Sequence, residues 1–274
     1  MTHYKDSFEK PWKKLAYTWS LLTDGPRPSR QNVRDYEKLM LEVIKGRKNP
    51  KVLLLGATPE IRDMIARYPF IELTVADVNR EMIDAMSHIM ERKAKNEKHI
   101  VSDWLELDFE DHFDVAIADF IKGNLPYDKQ FLLYRRISEA LKPSGCLIER
   151  IFSNFEGVKP LDPDALVRRY SRKEVNRKNV SDLWNTLIFQ TTEAKKATDN
   201  IFDALERNIQ LPNIKEYHRK MEEISERGKQ WHYGFPWRTE KRPILEYFEI
   251  EKKLPDDTVL KNWAYIFKLK PRKF

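Results

Sequence analysis

Glycine and cysteine are scarce in this chain, and their scarcity excludes a good deal. The 274 residues hold eight glycines, Gly25, Gly46, Gly56, Gly123, Gly145, Gly157, Gly228 and Gly234. No two stand close enough for G-x-G-x-x-G, and none begins G-x-x-x-x-G-K-[ST]. The usual dinucleotide fingerprint and the nucleoside-triphosphate P-loop are therefore absent, as are H-E-x-x-H and G-x-S-x-G. A single cysteine, Cys146, rules out an intrachain disulfide and a cysteine-cluster zinc site. No apolar run approaches the ~18–20 residues of a spanning helix. Met1 to Lys14 also lacks the apolar stretch of a signal peptide. Aromatic residues make up 12%, which argues against disorder. The composition predicts a globular, cytoplasmic protein: one large domain, or one domain with an elaboration.

Charge is plentiful and nearly balanced, with 50 basic and 43 acidic residues for a net +7. From Lys51 to about Phe152 short apolar runs alternate with helical patterns, the signature of an α/β fold with a parallel sheet. The expected strands are Val52–Leu55, Leu73–Ala76, a short one around Ile100–Ser102, Phe113–Ala118 and Cys146–Ile151. Continuous apolarity marks the first as buried on both faces. Helices are expected from Pro59 to about Tyr68 with Thr58 as N-cap, from Arg80 to about Lys93, and from Lys129 to Leu141. From about Asp162 to Lys229 the strand pattern disappears and polar helical stretches replace it. Strands return at Phe248–Lys252 and Trp263–Leu269 as an antiparallel pair. The first forty-five residues read as helical.

The first strand-to-helix turn, Leu55-Gly56-Ala57-Thr58-Pro59-Glu60, is the most informative stretch. In open α/β sheets ligands bind beyond the carboxyl ends of strands, where strand order reverses. Gly56 and Ala57 admit a ligand close to the backbone, and a helix start offers free N–H groups. A tight, well-capped turn would look the same. Asp77 ends the second strand about 20 residues later, where an acid grips ribose hydroxyls by accepting from two neighbouring donors; capping the next helix is the plainer alternative. Asp103-Trp104 ends the third strand, suited to an adenine amine and ring, or equally to an exposed acid beside a half-buried indole.

Taken in order, Leu54-Leu55-Gly56-Ala57-Thr58-Pro59-Glu60, Asp77, Asp103-Trp104, Phe113 to Asp119 and Leu141-Lys142-Pro143-Ser144-Gly145 resemble the class I S-adenosylmethionine-dependent methyltransferases. The branch resembled has G-A-T-P-E as its first motif, and Ser144 stands where the family's L-K-P-G-G turn has glycine. The resemblance covers roughly Lys51 to Phe152 plus the terminal strand pair. It implies a Rossmann-like seven-stranded sheet with its last strand antiparallel, S-adenosylmethionine as cofactor and S-adenosylhomocysteine as product. It places Gly56, Ala57, Thr58, Pro59 and Glu60 at the methionine portion, Asp77 and Val78 at the ribose, Asp103 and Trp104 at the adenine, and Asp119 at the transferring methyl. Asp119-Phe120-Ile121-Lys122 departs from N-P-P-Y, so methylation of adenine, cytosine or glutamine nitrogens does not follow.

The expected organisation is an N-terminal helical lid over 1–45, a methyltransferase core over 46–154 and 241–274, and a helical insertion over 155–240 supplying the acceptor region, all one structural unit. Asp119 and His232 are the candidate general bases, needed only if the nucleophile must lose a proton. His232 sits in the aromatic run Trp231 to Trp237, which suits a pocket wall or a packing loop. Trp12, Trp19 and Arg27 are candidates for a cofactor lid, with Arg27 near its carboxylate, or for simple packing. Arg168, Arg169 and Arg172 around Tyr170 form a cluster able to meet RNA, or a solvated helix face. A methyltransferase with a small-molecule acceptor is expected. An RNA methyltransferase and a non-catalytic nucleotide- or RNA-binding module are the alternatives; a nicotinamide-dependent oxidoreductase is disfavoured by the missing G-x-G-x-x-G.

Overall fold

Strands with no polar face need cover on both sides, and that requirement sets the centre of the molecule. In β1 (Lys51–Leu55) Val52 to Leu55 are all buried, and in β4 (Phe113–Asp119) burial runs from Phe113 through Ala118. A computed structural model describes residues 19, 22–155, 157–191, 196–232 and 236–272. Trp12 and Tyr17 of the expected lid, and Tyr233, Gly234 and Phe235 of the aromatic run, lie outside the described residues. Besides β1 and β4, the sheet contains β2 (Glu72–Asp77), β3 (Glu97–Val101), β5 (Leu141–Phe152), β8 (Phe248–Pro255) and β9 (Ala264–Pro271). Its order is β3-β2-β1-β4-β5-β9-β8. The first five strands are parallel, and β9 runs antiparallel to both neighbours. Strand order therefore reverses between β1 and β4, and a crevice opens beyond their carboxyl ends.

Four helices belong to this part: α1 (Arg30–Ile44), α2 (Pro59–Ile65), α3 (Arg80–Ile89) and α4 (Tyr127–Ala140). The Ser29 hydroxyl and Asn32 form a reciprocal capping box that starts α1, and Tyr36, Leu39, Met40 and Ile44 give it one buried stripe. The expectation of helix throughout the first forty-five residues is corrected between Leu22 and Ser29. Gly25 (φ +133°), Pro26 and Pro28 break the helical pattern, and Asp24 bridges Arg27 in a turn. Both α2 and α3 end earlier than expected, and the Thr58 side chain makes no capping bond. The fourth helix begins two residues earlier than expected, at Tyr127, and the fifth strand starts at Leu141. Within that strand Gly145 fits a crowded position, because an added Cβ would lie 3.0–3.1 Å from the carbonyl oxygens of Lys142, Asp114 and Phe113.

Between β5 and β8 come α5 (Pro163–Tyr170), α6 (Arg177–Gln190), β6 (Lys196–Ala197), α7 (Thr198–Arg207), α8 (Ile214–Ile224), β7 (Gln230–Trp231), α9 (Trp237–Glu240) and α10 (Arg242–Tyr247). The purely helical reading of this segment is corrected by β6 and β7, which pair antiparallel. Two-residue strands are too short to show any periodicity. Nor is α6 a polar surface helix, since every residue from Val180 to Phe189 is buried. Its Leu183 and Leu187 belong to the same apolar cluster as Val52 of β1 and Ile117 of β4, so the insertion shares the core of the sheet. A fully buried ion pair between Lys122 and Glu240 docks α9 beside the end of β4.

Arg150, near the end of β5, is fully buried and ties these parts together. Its guanidinium donates to Asp119 at the tip of β4 (Nε to Oδ1, 2.6 Å), to Asp256 ahead of β9 (3.2 Å) and to Asn32 of α1 (2.9 Å). It also donates to the carbonyls of Gly25 (2.9 Å) and Pro26 (3.4 Å), and lies 4.0 Å from the centroid of the Phe120 ring. Removing one member of such a set strands the others without solvent. Arg150→Met is expected to cost about 3–5 kcal/mol of folding stability, by leaving two buried carboxylates without their cation. Urea denaturation checks this; a change below about 1 kcal/mol, the scale of an exposed pair, would contradict it.

Candidate active site

The crevice at the strand-order reversal holds a cavity of about 390 Å³, within the range of small-molecule sites. Each strand ending there contributes through the residues just past its last hydrogen bonds. After β1 comes Gly56, whose φ of +90° favours glycine and whose N–H donates to the carbonyl of Ala76 at 2.8 Å. An added Cβ would find only Trp104 Cζ2, at 4.0 Å, so the space above Gly56 is open. Ala57 and Thr58 continue the wall.

Asp77 closes β2. Asn79 N–H donates to its Oδ1 at 2.8 Å, while Asn79 itself caps α3, so Asp77 is not the cap. Burial pushes the Asp77 carboxyl up to about 6, against that hydrogen bond and the charge of Lys229. Beyond β3, the Asp103 carboxylate accepts from Leu105 N–H at 3.0 Å, and Trp104 is oriented by its Nε1–H bond to the carbonyl of Ala76 at 2.8 Å. Val78, just past β2, and Val101, the last residue of β3, 40% and 44% exposed, add apolar surface to the cavity.

The far end of the cavity is built from β4 and the insertion. Asp119 lines it, but both its oxygens accept from Arg150, and the Tyr36 hydroxyl lies 3.4 Å from Oδ1. Burial outweighs the pull of Arg150, which Asp119 shares with Asp256, and leaves the carboxyl above its ordinary value. Phe120 follows with φ +57°, an uncommon conformation for a bulky residue, held by its N–H bond to the Arg150 carbonyl at 3.0 Å. Ile121, Asn124 and Leu125 continue this wall, Trp184 and Phe189 reach it from α6, and Trp231 reaches it from β7.

Of the residues singled out in the sequence, the structure brings Gly56, Ala57, Thr58, Asp77, Val78, Asp103, Trp104, Asp119 and Trp19 to this cavity. Four stand off its wall. Pro59 is buried within α2. Glu60 accepts from Trp19 Nε1 at 3.1 Å and pairs with Arg27 at 2.7 Å, so Arg27 is spent on a protein carboxylate and Pro26 takes the lining position. His232 donates its backbone N–H to Gly123 at 2.7 Å, while its neighbour Trp231 faces the cavity. Phe120, Trp184 and Phe189 escaped the sequence reading; Ser181, Asp182, Asn185 and Thr186 interrupt the apolar residues of α6, so the segment read as a polar helix. Elsewhere, Arg168 and Arg172 are exposed, and Tyr170 between them is buried, with Lys173 Nζ 4.0 Å from the centroid of its ring.

No family model matches the sequence, and no curated protein does. Solved structures are similar in fold. An S-adenosylmethionine-dependent methyltransferase from Methanosarcina mazei matches with a TM-score of 0.51 at 14% identity, over 82% of this chain and 93% of that one. The N-methyltransferase NodS of Bradyrhizobium japonicum, solved with S-adenosylhomocysteine, matches with 0.50 at 11% identity, over 94% and 100%. A Rhodobacter sphaeroides structure bearing the name of the Zn-dependent alcohol dehydrogenases matches with 0.56 at 14% identity, over 95% and 99%. Among the described residues no group of three or more His, Cys, Asp or Glu is placed to hold a metal ion, and no helix is long and apolar enough to cross a membrane. Strand order, the reversal between β1 and β4 and the antiparallel β9 give this chain the fold of the class I S-adenosylmethionine-dependent methyltransferases.

Proposed function

We propose that the chain is an S-adenosylmethionine-dependent methyltransferase acting on a small molecule. The observation that carries the reading is the set Gly56, Asp77 and Asp103-Trp104, arranged along one cavity at three neighbouring strand tips. The donor set fits the cofactor chemically. Asp77 offers a carboxylate to two ribose hydroxyls, the surfaces of Val78, Val101 and Trp104 suit a purine ring, and the open space above Gly56 suits the thioether chain. The cofactor, when bound, supplies a methyl group already activated on a sulfonium. What remains for the protein is to align the acceptor and keep water out. The aromatic wall from Phe120, Trp184, Phe189 and Trp231 serves both ends. Asp119, held by Arg150, acts in this reading as a fixed negative charge beside the reacting centre.

The small-molecule acceptor is favoured over RNA by the wall of the site, which includes no lysine, arginine or histidine among the described residues. Incubation with radiolabelled S-adenosylmethionine and separate small-molecule and RNA fractions of a cell extract tests this. Label is expected in the small-molecule fraction; label confined to RNA would transfer the assignment there, and cofactor binding without transfer to either would support a non-catalytic module.

Two measurements check the cofactor site. Calorimetry with S-adenosylhomocysteine is expected to show binding that Asp77→Ala weakens by about 1.5–3 kcal/mol, the scale of hydrogen bonds to a charged group; unchanged affinity would remove Asp77 from the ribose. The second concerns pH. Because burial raises the Asp77 carboxyl to about 6, the free protein takes up a proton there as pH falls through 6, and the charged acceptor that ribose needs is lost. Affinity is expected to be flat above neutrality and to fall below pH 6 by up to about tenfold per unit. Asp77→Asn is expected to flatten the profile, and a wild-type profile without the fall would contradict the assignment.

A further inference from the structure

The acceptor end of the cavity is unusual in its chemistry, and its class of ligand can be read from it, resting on the methyltransferase reading above. Its rings are arranged as a continuous wall. Trp184 meets Trp231 edge-on at 6.0 Å between centroids and Phe189 edge-on at 6.1 Å, while Phe189 lies 6.3 Å from Phe120. Ile121 and Leu125 extend the apolar surface. The ionisable side chains lining the whole cavity, among the described residues, are Asp77, Asp103, Glu106 and Asp119, all acids. Of these only Asp119 stands at the acceptor end; Arg150 lies behind Asp119 and Phe120, Lys229 lies over the Trp231 ring, and neither is among the lining residues, so an anionic acceptor would lose its water with no basic side chain of the described lining to pair it. Among the described residues, two lining residues also keep a buried polar atom without a hydrogen-bond partner, Nε1 of Trp184 and Oδ1 of Asn124.

We propose that the acceptor is a flat, uncharged heteroaromatic molecule, bound against Phe120, Trp184, Phe189 and Trp231 and methylated on a ring nitrogen that carries no proton. Flatness suits the ring wall, since offset and edge contacts between aromatic systems are favourable beyond area burial alone. Neutrality follows from a described lining that offers an anion no basic side chain. The unprotonated nitrogen follows from the state of Asp119, whose two oxygens are committed to Arg150 and which is therefore poorly placed to remove a proton. The lone pair of such a nitrogen forms the new C–N bond as the C–S bond breaks. The electron pair of the broken bond stays on sulfur, giving a neutral thioether, and the positive charge passes to the ring. No proton is taken or released. The aromatic faces then stabilise the new cation.

The test is made on the whole chain saturated with S-adenosylhomocysteine, with quinoline as the neutral probe and quinoline-2-carboxylate as its anionic counterpart. Binding is followed by ligand-detected NMR and calorimetry. Quinoline is expected to bind the loaded protein, and the carboxylate to bind at least about tenfold more weakly. Phe189→Leu and Trp231→Leu, which keep an apolar side chain and remove the ring, are expected to weaken quinoline by about tenfold. The affinity for S-adenosylhomocysteine and the melting temperature report whether those variants fold. If a variant unfolds, Phe189→Tyr, which keeps the ring, provides the second reading and is expected to retain quinoline binding. Equal affinity for the two probes, or quinoline binding indifferent to Phe189 and Trp231, would overturn the proposal while leaving the cofactor reading intact. Failure of S-adenosylhomocysteine to bind would overturn both, and is seen in the first titration.

Discussion

A guanidinium buried without water must be surrounded by acceptors, and Arg150 is surrounded by acceptors from four separate parts of the fold. Asp119 belongs to β4, Asp256 to the segment before β9, Asn32 to α1, and the carbonyls of Gly25 and Pro26 to the turn that precedes α1. Burial opposes the charge, but Asp119 and Asp256 hold it in place and raise its pKa further. Tyr36 completes the arrangement: its hydroxyl donates to the Ala118 carbonyl at 2.8 Å and accepts from Arg150 N–H at 3.0 Å. Each of these groups would be an unsatisfied buried polar group without the others. The consequence for the site is rigidity where it matters, since Pro26, Asp119 and Phe120 all line the cavity and all touch Arg150.

The central sheet was legible because its signals are local. Continuous apolar runs such as Val52–Leu55 have one reading as strands between layers, and the residues just past them, Gly56, Asp77 and Asp103-Trp104, follow from the rule that ligands sit at carboxyl ends. The acceptor wall was not legible for the opposite reason. Trp184 and Phe189 lie on a helix and Trp231 on a two-residue strand, far apart in sequence, and only tertiary packing brings them to Phe120. Arg27, expected from the sequence near the cofactor's carboxylate, pairs in the structure with Glu60, reached across 33 residues. Ser144 for glycine near the start of β5 is tolerated because Ser144 is exposed and accepts from Arg47, whereas Gly145 occupies the crowded position.

The overall charge of the chain and the charge of its cavity point in opposite directions. The net +7 comes from side chains spread over the outside, many of them in pairs such as Arg219 with Glu223 and Arg227 with Asp203. The described lining of the cavity contains acids and aromatic rings and no basic side chain. A sulfonium cofactor carries positive charge into such a site favourably, and a neutral flat acceptor joins it without desolvating a second charge. In the proposed reading, sulfur and nucleophile would meet between Gly56 and Phe120, which both line the cavity.

A crystal structure of the full chain grown with S-adenosylhomocysteine tests that claim most directly. The account predicts ribose hydroxyls on the Asp77 carboxylate, adenine between Val78, Val101 and Trp104, and the sulfur above Gly56 facing the ring of Phe120. A nucleoside bound elsewhere on the molecule, or seated in this cavity with its ribose away from Asp77, would contradict it.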